Sequence, residues 1–352
     1  MHFTERLALP LLHKLDPERA HDFAHWALRK GLAPSPGVFT SDRLATDIAG
    51  LALPNPIGLA AGFDKNATAI APLSKSGFGF LEVGAVTPRA QEGNRKPRLF
   101  RLSEDEAAIN RFGFNNHGME AVAERLTKHP QRIPIGLNLG ANRDSEHRNI
   151  DYIQVLEHCG PYVDFATINV SSPNTAQLRD LQRKEALQNL AEGAIHTRDQ
   201  LQRPIPIFLK IAPDLTDEEI AQIGQAAMHA RIDAIIATNT TIERDSLTSE
   251  HKIQKGGLSG RPLFEKSTRV LARLYQETGG QMPLIGVGGI SSVEDALMKF
   301  EAGATAVQLY TALIYKGLSL GHRIAKSLDA ELEKRGIDHI SQIVGRSAKD
   351  FV

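Results

Sequence analysis

Eight short apolar runs recur along the chain, with helical patterns between them. They are Asn55–Gly62, Phe80–Thr87, Ile133–Gly140, Asp164–Ser171, Pro206–Pro213, Asp233–Thr240, Leu284–Ile290 and Ala306–Thr311. Near-continuous apolar character, rather than strict alternation, suits parallel strands buried on both faces. Helix starts are legible in the intervals. Thr216 is placed as an N-cap with Glu219 at the capping-box position. Ser292 and Asp295 repeat that spacing. This alternation predicts an α/β chain folded as a (β/α)8 TIM barrel. A doubly wound open sheet alternates in the same way, but no Gly-x-Gly-x-x-Gly follows the first run to support it.

Some segments fall outside the repeat. Pro88 to Asn116 and Thr241 to Leu263 are long connections, expected to be functional or mobile loops. Leu44–Leu53, with Gly50 at its centre, reads as a small hairpin ahead of the barrel. The first forty residues stand apart. Asp16-Pro17-Glu18 is a helix start: a capping acid, proline at the first helical position and an acid in the first turn. Ala20, Phe23, Ala24, Ala27 and Leu28 follow at helical spacing, and Gly31 can end the helix. Phe3, Leu7, Leu11, Leu12 and Leu15 outline an earlier apolar stripe, disturbed at Pro10. The chain therefore divides into a two-helix extension, residues 1–40, and a barrel, residues 41–352. The apolar faces of the extension either pack on the barrel or bind a lipid surface or lipid-like ligand. Spacing does not choose between these.

Composition narrows the picture. The chain has 352 residues, and a barrel of this type needs roughly 250. Lys and Arg together number 41, as do Asp and Glu, so the formal net charge is zero. Nothing suggests the clustered basic surface that nucleic acid requires. A single cysteine, Cys159, can form neither an internal disulfide nor a paired-cysteine zinc site, and no metal is expected. No run approaches the roughly 20 apolar residues of a membrane span. The N-terminus is charged throughout and has the form of neither a signal nor a transit peptide.

Barrels of this kind place their chemistry at the C-terminal ends of the strands. Those ends are unusually polar here: Asp64, Lys65, Asn138, Asn169, Ser171, Ser172, Asn174, Lys210, Thr238, Asn239, Thr240, Tyr310 and Thr311. Lys210 interrupts an apolar run, where a charge is unfavourable unless paired. It either snorkels from the strand end or faces a bound anion, and Lys65 lies at the same level. Asn110, Asn115, Asn138, Asn169, Asn174 and Asn239 form a second group. Singly, each suits a turn or cap. Together they suit a flat heterocycle with alternating donors and acceptors. Gly256-Gly257-Leu258-Ser259-Gly260 and Gly286-Val287-Gly288-Gly289 form a third group, at the usual barrel phosphate site. Ser172 begins Ser-Pro-Asn, which alone reads as a turn. No His or Asp is placed to make a hydrolase triad with it, and Gly-x-Ser-x-Gly is absent.

Several motifs, in order, resemble the dihydroorotate dehydrogenase family, in its membrane-associated, quinone-reducing class 2. They are Gly58-Leu-Ala-Ala-Gly-Phe-Asp-Lys65, Gly84-Ala-Val-Thr-Pro-Arg89, Arg98-Leu-Phe-Arg-Leu102, Asn110-Arg-Phe-Gly-Phe-Asn115 and Ile168-Asn-Val-Ser-Ser-Pro-Asn-Thr175. Lys210-Ile-Ala-Pro-Asp214, Thr238-Asn-Thr240, Gly256-Gly-Leu-Ser-Gly-Arg-Pro262, Gly286-Val-Gly-Gly-Ile290 and Gln308-Leu-Tyr-Thr311 complete the series. The likeness spans almost the whole chain.

The resemblance implies oxidation of (S)-dihydroorotate to orotate in pyrimidine synthesis, with one non-covalent FMN. Ala61, Gly62, Phe63, Asp64, Lys65, Ala85, Asn138, Asn169, Lys210, Thr238, Gly260, Gly289, Tyr310 and Thr311 would hold FMN, a cation at the flavin's N1 edge stabilising the reduced ring. Relatives often carry a hydroxyl residue where Ala85 stands, which removes one side-chain contact. Lys65, Asn110, Asn115, Asn169, Asn174, Asn239 and Thr240 would hold the substrate, with Arg111, Phe112, Gly113 and Phe114 shaping its pocket. Ser172 would take the proton from C5 while C6 delivers hydride to flavin N5. The loop Ser172–Lys184 would close over the substrate. Class 1 members use cysteine at the position of Ser172 and lack the extension. The extension would cover a quinone tunnel with His21 and Arg101 near the quinone head. The same likeness suggests a monomer peripheral to the membrane, and the absence of a transit peptide favours a bacterial protein at the cytoplasmic face of its cell membrane. The rival readings are a class 1 enzyme using fumarate or NAD, a tRNA dihydrouridine synthase, and a silent flavin-binding barrel. Ser172 and the extension oppose the first. Neutral charge and the lack of a well-placed cysteine oppose the second.

Overall fold

A computed structural model describes residues 2–129, 132–171 and 184–352. Two helices open the chain, α1 (Phe3–Leu12) and α2 (Pro17–Arg29). Asp16 Oδ1 accepts from the backbone N–H groups of Glu18 and Arg19 at 3.1 and 3.0 Å, so α2 starts where its cap predicts. Helix α1 runs on through Pro10, which removes only the helical donor to the Arg6 carbonyl near its end. Buried Glu5 accepts from the backbone N–H and the hydroxyl of Ser319, tying α1 to the barrel.

Strands β1 (Thr46–Ile48) and β2 (Leu51–Leu53) form the expected antiparallel hairpin. Ala49 and Gly50 turn it at φ 54° and 84°, the paired positive values that a two-residue hairpin turn needs. Next come β3 (Ile57–Leu59), β4 (Phe80–Val86), β5 (Leu99–Leu102), β6 (Ala107–Asn110), β7 (Ile135–Leu139) and β8 (Phe165–Asn169). They are followed by β9 (Ile207–Ile211), β10 (Ala234–Ala237), β11 (Gly257–Gly260), β12 (Leu284–Val287) and β13 (Ala306–Leu309). Eight of these close a parallel barrel in the order β3–β4–β7–β8–β9–β10–β12–β13. All eight coincide with the apolar runs.

The connections hold α3 (Ile70–Leu73), α4 (Met119–Leu126), α5 (Arg148–Cys159), α6 (Lys184–Gln200), α7 (Asp217–His229), α8 (Phe264–Glu277), α9 (Val293–Glu301), α10 (Ala312–Lys316) and α11 (Leu320–Lys334). Thr216 and Glu219 close a reciprocal capping box at the start of α7. Ser292 caps α9, but the Asp295 carboxylate accepts from Ser291 instead of returning to the cap.

The two long connections are not free loops. β5, β6 and β11 pair into a three-stranded antiparallel sheet, with Asn110 opposite both Leu99 and Gly257.

Inside the barrel the pleat alternates residues between core and helices. Phe80, Phe165 and Phe208 point inward at one level, and the last two stack at 4.8 Å. Ile48 and Leu53 of the hairpin join this layer. Glycines on neighbouring strands make the room. A Cβ on Gly136 would stand 2.1 Å from the Phe165 ring, and one on Gly58 2.3 Å from Phe80. Gly136→Ala is therefore expected to destabilise the protein by about 3 kcal/mol, the upper end of overpacking. A thermal midpoint within a degree of the parent would show that the ring yields instead.

Candidate active site

Above the phenylalanine layer the same alternation turns polar side chains inward. Glu82, Asn138, Thr167, Lys210 and Gln308 each stand two residues beyond an inward apolar or glycine position, and Asn169 lies one step higher. Four of them, Gln308, Glu82, Asn138 and Asn169, are linked by hydrogen bonds. Gln308 Nε2 and Asn138 Nδ2 donate to the two oxygens of Glu82 at 2.7 and 2.6 Å. Asn169 Nδ2 donates to Asn138 Oδ1 at 2.8 Å. Asn239 Nδ2 reaches Asn169 Oδ1 at 3.3 Å and Ser171 Oγ at 2.9 Å. A carboxylate only accepts, so Glu82 orients Asn138, and each amide then orients the next. Tyr152 Oη donates to the Asn169 carbonyl at 2.7 Å, fixing the end of β8.

This network floors a cavity of about 400 Å³ at the C-terminal ends of the strands, within the range of small-molecule sites. Beside Lys316, which is bonded to Ser291, two lysines enter it. Lys210 is buried, and Lys65 is partly buried with its ammonium 4.3 Å from the centre of the Phe112 ring. Neither ammonium makes a hydrogen bond or ion pair with another described residue. Burial pulls the Lys65 pKa down to about 8, and it also lowers that of Lys210, which the charge of Glu82 partly offsets. Two buried amide oxygens of the cavity wall, Asn115 Oδ1 and Gln308 Oε1, have no partner among the described residues. Buried polar atoms without partners are rare and call for a ligand or water. Elsewhere on the wall are Gly260, Gly288, Gly289 and Thr311, whose hydroxyl donates to Ser259 Oγ at 2.8 Å. The peptide bonds Gly84–Ala85 and Ala237–Thr238, at two strand ends, are cis.

The other end of the cavity is apolar and lies under α1 and α2, where Ala8, Leu9, Leu12, Ala20 and Ala24 face it. His21 Nε2 donates to the Phe63 carbonyl at 3.1 Å, and burial lowers its pKa, which favours the neutral ring. Arg101 Nη1 donates to the His13 carbonyl at 2.8 Å, while its buried Nε has no partner among the described residues.

Among the described residues, the expected ligand contacts line this single cavity with two exceptions. Asp64 turns away: its carboxylate accepts from Thr68 N and Ala69 N at 2.9 and 2.7 Å and shapes the turn. Arg111 braces the small sheet, donating to Gln254 Oε1 and the carbonyls of Lys255 and Pro97 and stacking over Phe100. Ser172, Asn174 and the loop that follows lie outside the described residues. Sequence reasoning missed Glu82 and Gln308. Glu82 interrupts its apolar strand just as Lys210 does, and that signal was available.

Barrel, buried cations and oriented amides together define an α/β barrel with a polar, cation-bearing cavity at the C-terminal ends of its strands. Comparison with known proteins goes further. The model of the family described as dihydroorotate dehydrogenase matches residues 43–332. A protein of Cereibacter sphaeroides named dihydroorotate dehydrogenase (quinone) is 57% identical over 353 residues, covering 100% of both chains. One of the same name from Agrobacterium fabrum is 47% identical, covering 94% of this chain and 93% of its own. The crystal structure of DHODH from Eimeria tenella in complex with ferulenol superposes with a TM-score of 0.90 at 39% identity, covering 94% of this chain and 96% of that one. The ligand-free Eimeria form gives 0.91 at 40%, covering 94% and 99%. The chain belongs to the dihydroorotate dehydrogenase family of oxidoreductases.

Proposed function

We propose that this protein oxidises (S)-dihydroorotate to orotate with one non-covalent FMN and passes the electrons to a membrane quinone, as a step of de novo pyrimidine synthesis. The observation that carries the reading is the pair of lysine ammonium groups, Lys65 and Lys210, that face one cavity without a described protein partner. A carboxylate substrate and a flavin would supply the missing acceptors.

The residues present fit FMN. Lys210, Asn138 and Asn169 offer donors to a planar ring with alternating carbonyl and N–H groups, and Gly289, Gly260 and Thr311 offer a small-residue cradle to its phosphate. When bound, FMN supplies a two-electron acceptor. The chain does the rest. Lys65 binds the substrate carboxylate. Asn110, Asn115, Asn239 and Thr240, with Asn174, hold its ring amides, and Ser172 removes the C5 proton. The Phe112–Phe114 segment closes the pocket side.

Residues 1–40 form the quinone unit appended to the barrel of residues 41–352. His21 and Arg101 offer donors to a quinone carbonyl. Outside, Phe3, Leu7 and Leu11 are 70%, 60% and 64% exposed on α1, and Phe23 and Trp26 continue the apolar surface on α2. Such a surface suits insertion at a membrane interface. No helix among the described residues is long and apolar enough to cross a membrane. The protein acts as a monomer, peripheral on the cytoplasmic side of the cell membrane.

The test is an anaerobic titration. The yellow protein is expected to bleach with dihydroorotate and to recover with a quinone but not with fumarate or NAD. Recovery with fumarate or NAD alone would install the class 1 reading, and failure to bleach would remove the activity.

The state of Lys65 makes a further prediction. Its pKa in the free protein is about 8, so the ammonium is present below that pH and lost above it. A carboxylate binds only the charged form. Thus kcat/KM for dihydroorotate should fall about tenfold per pH unit above this value, and Lys65→Met should abolish that limb. A profile level to pH 10 would exclude Lys65 as the carboxylate partner.

A further inference from the structure

Behind the Gly288–Gly289 turn lies a lysine that the proposed reaction does not use. Lys299, on α9, is completely buried. Its ammonium donates to Ser267 Oγ at 2.7 Å and stands 5.0 Å from the centre of the Phe264 ring. It makes no ion pair with a described residue, and Asp295, whose charge reaches it, is engaged by Ser291. A buried amine without a counter-ion is destabilising, and a leucine or methionine would fill this space at lower cost. Burial also pushes the lysine pKa well down, so its charge is secured only with an anion nearby.

Ser267 shows where that anion belongs. Its hydroxyl lies 3.0 Å from the Phe264 carbonyl and 3.2 Å from the Gly288 carbonyl. Phe264 O already accepts Thr268 Oγ1 at 2.7 Å, so the single hydroxyl proton is better used on Gly288. The Gly288–Gly289 peptide is trans, and in a trans peptide the carbonyl and the following N–H point to opposite sides. Holding the Gly288 carbonyl back against Ser267 aims the Gly289 N–H forward, into the cavity that both glycines line. That N–H has no acceptor among the described residues. The turn cannot retreat: a Cβ on Gly289 would stand 2.5 Å from Phe264 Cβ, and one on Gly288 2.7 Å from Ser267 Oγ.

We infer that Lys299, acting through Ser267, is a positioning residue for the phosphate of the bound flavin: it aims the Gly289 N–H and places a buried positive charge behind it. This rests on the reading of the cavity as an FMN site and adds the means by which a phosphate monoester is preferred. A cation at the head of a hydrogen-bonded chain strengthens each donor along it, and the dry interior leaves that charge poorly screened.

The experiment compares FMN with riboflavin, which lacks the phosphate, binding to flavin-depleted full-length protein by fluorescence titration. Lys299→Met is expected to weaken FMN about 30-fold, the scale of one hydrogen bond to a charged group, and to leave riboflavin within twofold. Ser267→Ala should act in the same direction. Equal weakening of both flavins would make Lys299 merely structural and overturn the inference. So would unchanged FMN affinity. If the parent protein binds riboflavin as tightly as FMN, the phosphate reading itself falls and takes this one with it. A parent preference that survives Lys299→Met sinks the role of Lys299 alone. Should either variant fold poorly, the double variant Lys299→Met/Ser267→Ala, which removes the ammonium and its acceptor together, is held to the same two outcomes.

Discussion

Replacing Ser172 with alanine is expected to leave the protein yellow and to slow its bleaching by dihydroorotate about a thousandfold, in the middle of the range for loss of a general base. A serine hydroxyl is a poor base at neutral pH. It works only when held in place with somewhere for its proton to go. The backbone leading to it is held. Ser171 Oγ donates to Asn169 Oδ1 at 3.0 Å and accepts from Asn239 at 2.9 Å, and the Asn169 carbonyl is pinned by Tyr152. Alanine deletes the proton acceptor while leaving the lysines and the amide row intact, so FMN affinity should stay within twofold. Anaerobic stopped-flow reduction reads the rate. A rate near that of the parent would remove Ser172 from the reaction.

Deleting residues 2–40 should act on the other half-reaction. Bleaching by dihydroorotate is expected to stay within about threefold, whereas reoxidation by a quinone should fall about 100-fold. The argument is one of area. Helices α1 and α2 supply the apolar cover of the cavity's far end. Losing roughly 100 Å² of apolar contact with a ligand costs about 2.5 kcal/mol, close to two decades of affinity. Equal losses in both half-reactions would mean that the extension only supports the barrel.

Which features were legible in the sequence follows from their range. Buried parallel strands are apolar on both faces, so all eight barrel runs, Asn55–Gly62 through Ala306–Thr311, coincide with observed strands. The caps Asp16 and Thr216 act within three residues and were equally plain. The sheet of β5, β6 and β11 was invisible. Its strands have four residues each, β5 is only partly buried, and Gly257 pairs with Asn110 far away in sequence. Within the site, inward parity separates the residues that line the cavity from their neighbours. Lys65 and Asp64 are adjacent, yet one meets the cavity and the other a backbone turn. Parity near a strand end depends on where the strand stops, and a sequence does not mark that to one residue. Arg111 braces the small sheet instead of lining the cavity, and the strand pairing that holds it there was not legible.

The small antiparallel sheet has a consequence of its own. Asn110 ends β6, Arg101 lies in β5 and Gly260 ends β11, and the three strands are bonded side by side. In the proposed reading these residues meet dihydroorotate, quinone and the flavin phosphate respectively. One rigid plate thus carries a fingertip on each of three ligands. Its Arg101 also grips the His13 carbonyl at the α1–α2 junction. A change that tilts the plate to suit a different oxidant would disturb the donor side in the same movement. A lineage changing electron acceptor would find freer variation at those positions of α1 and α2 that do not touch the plate.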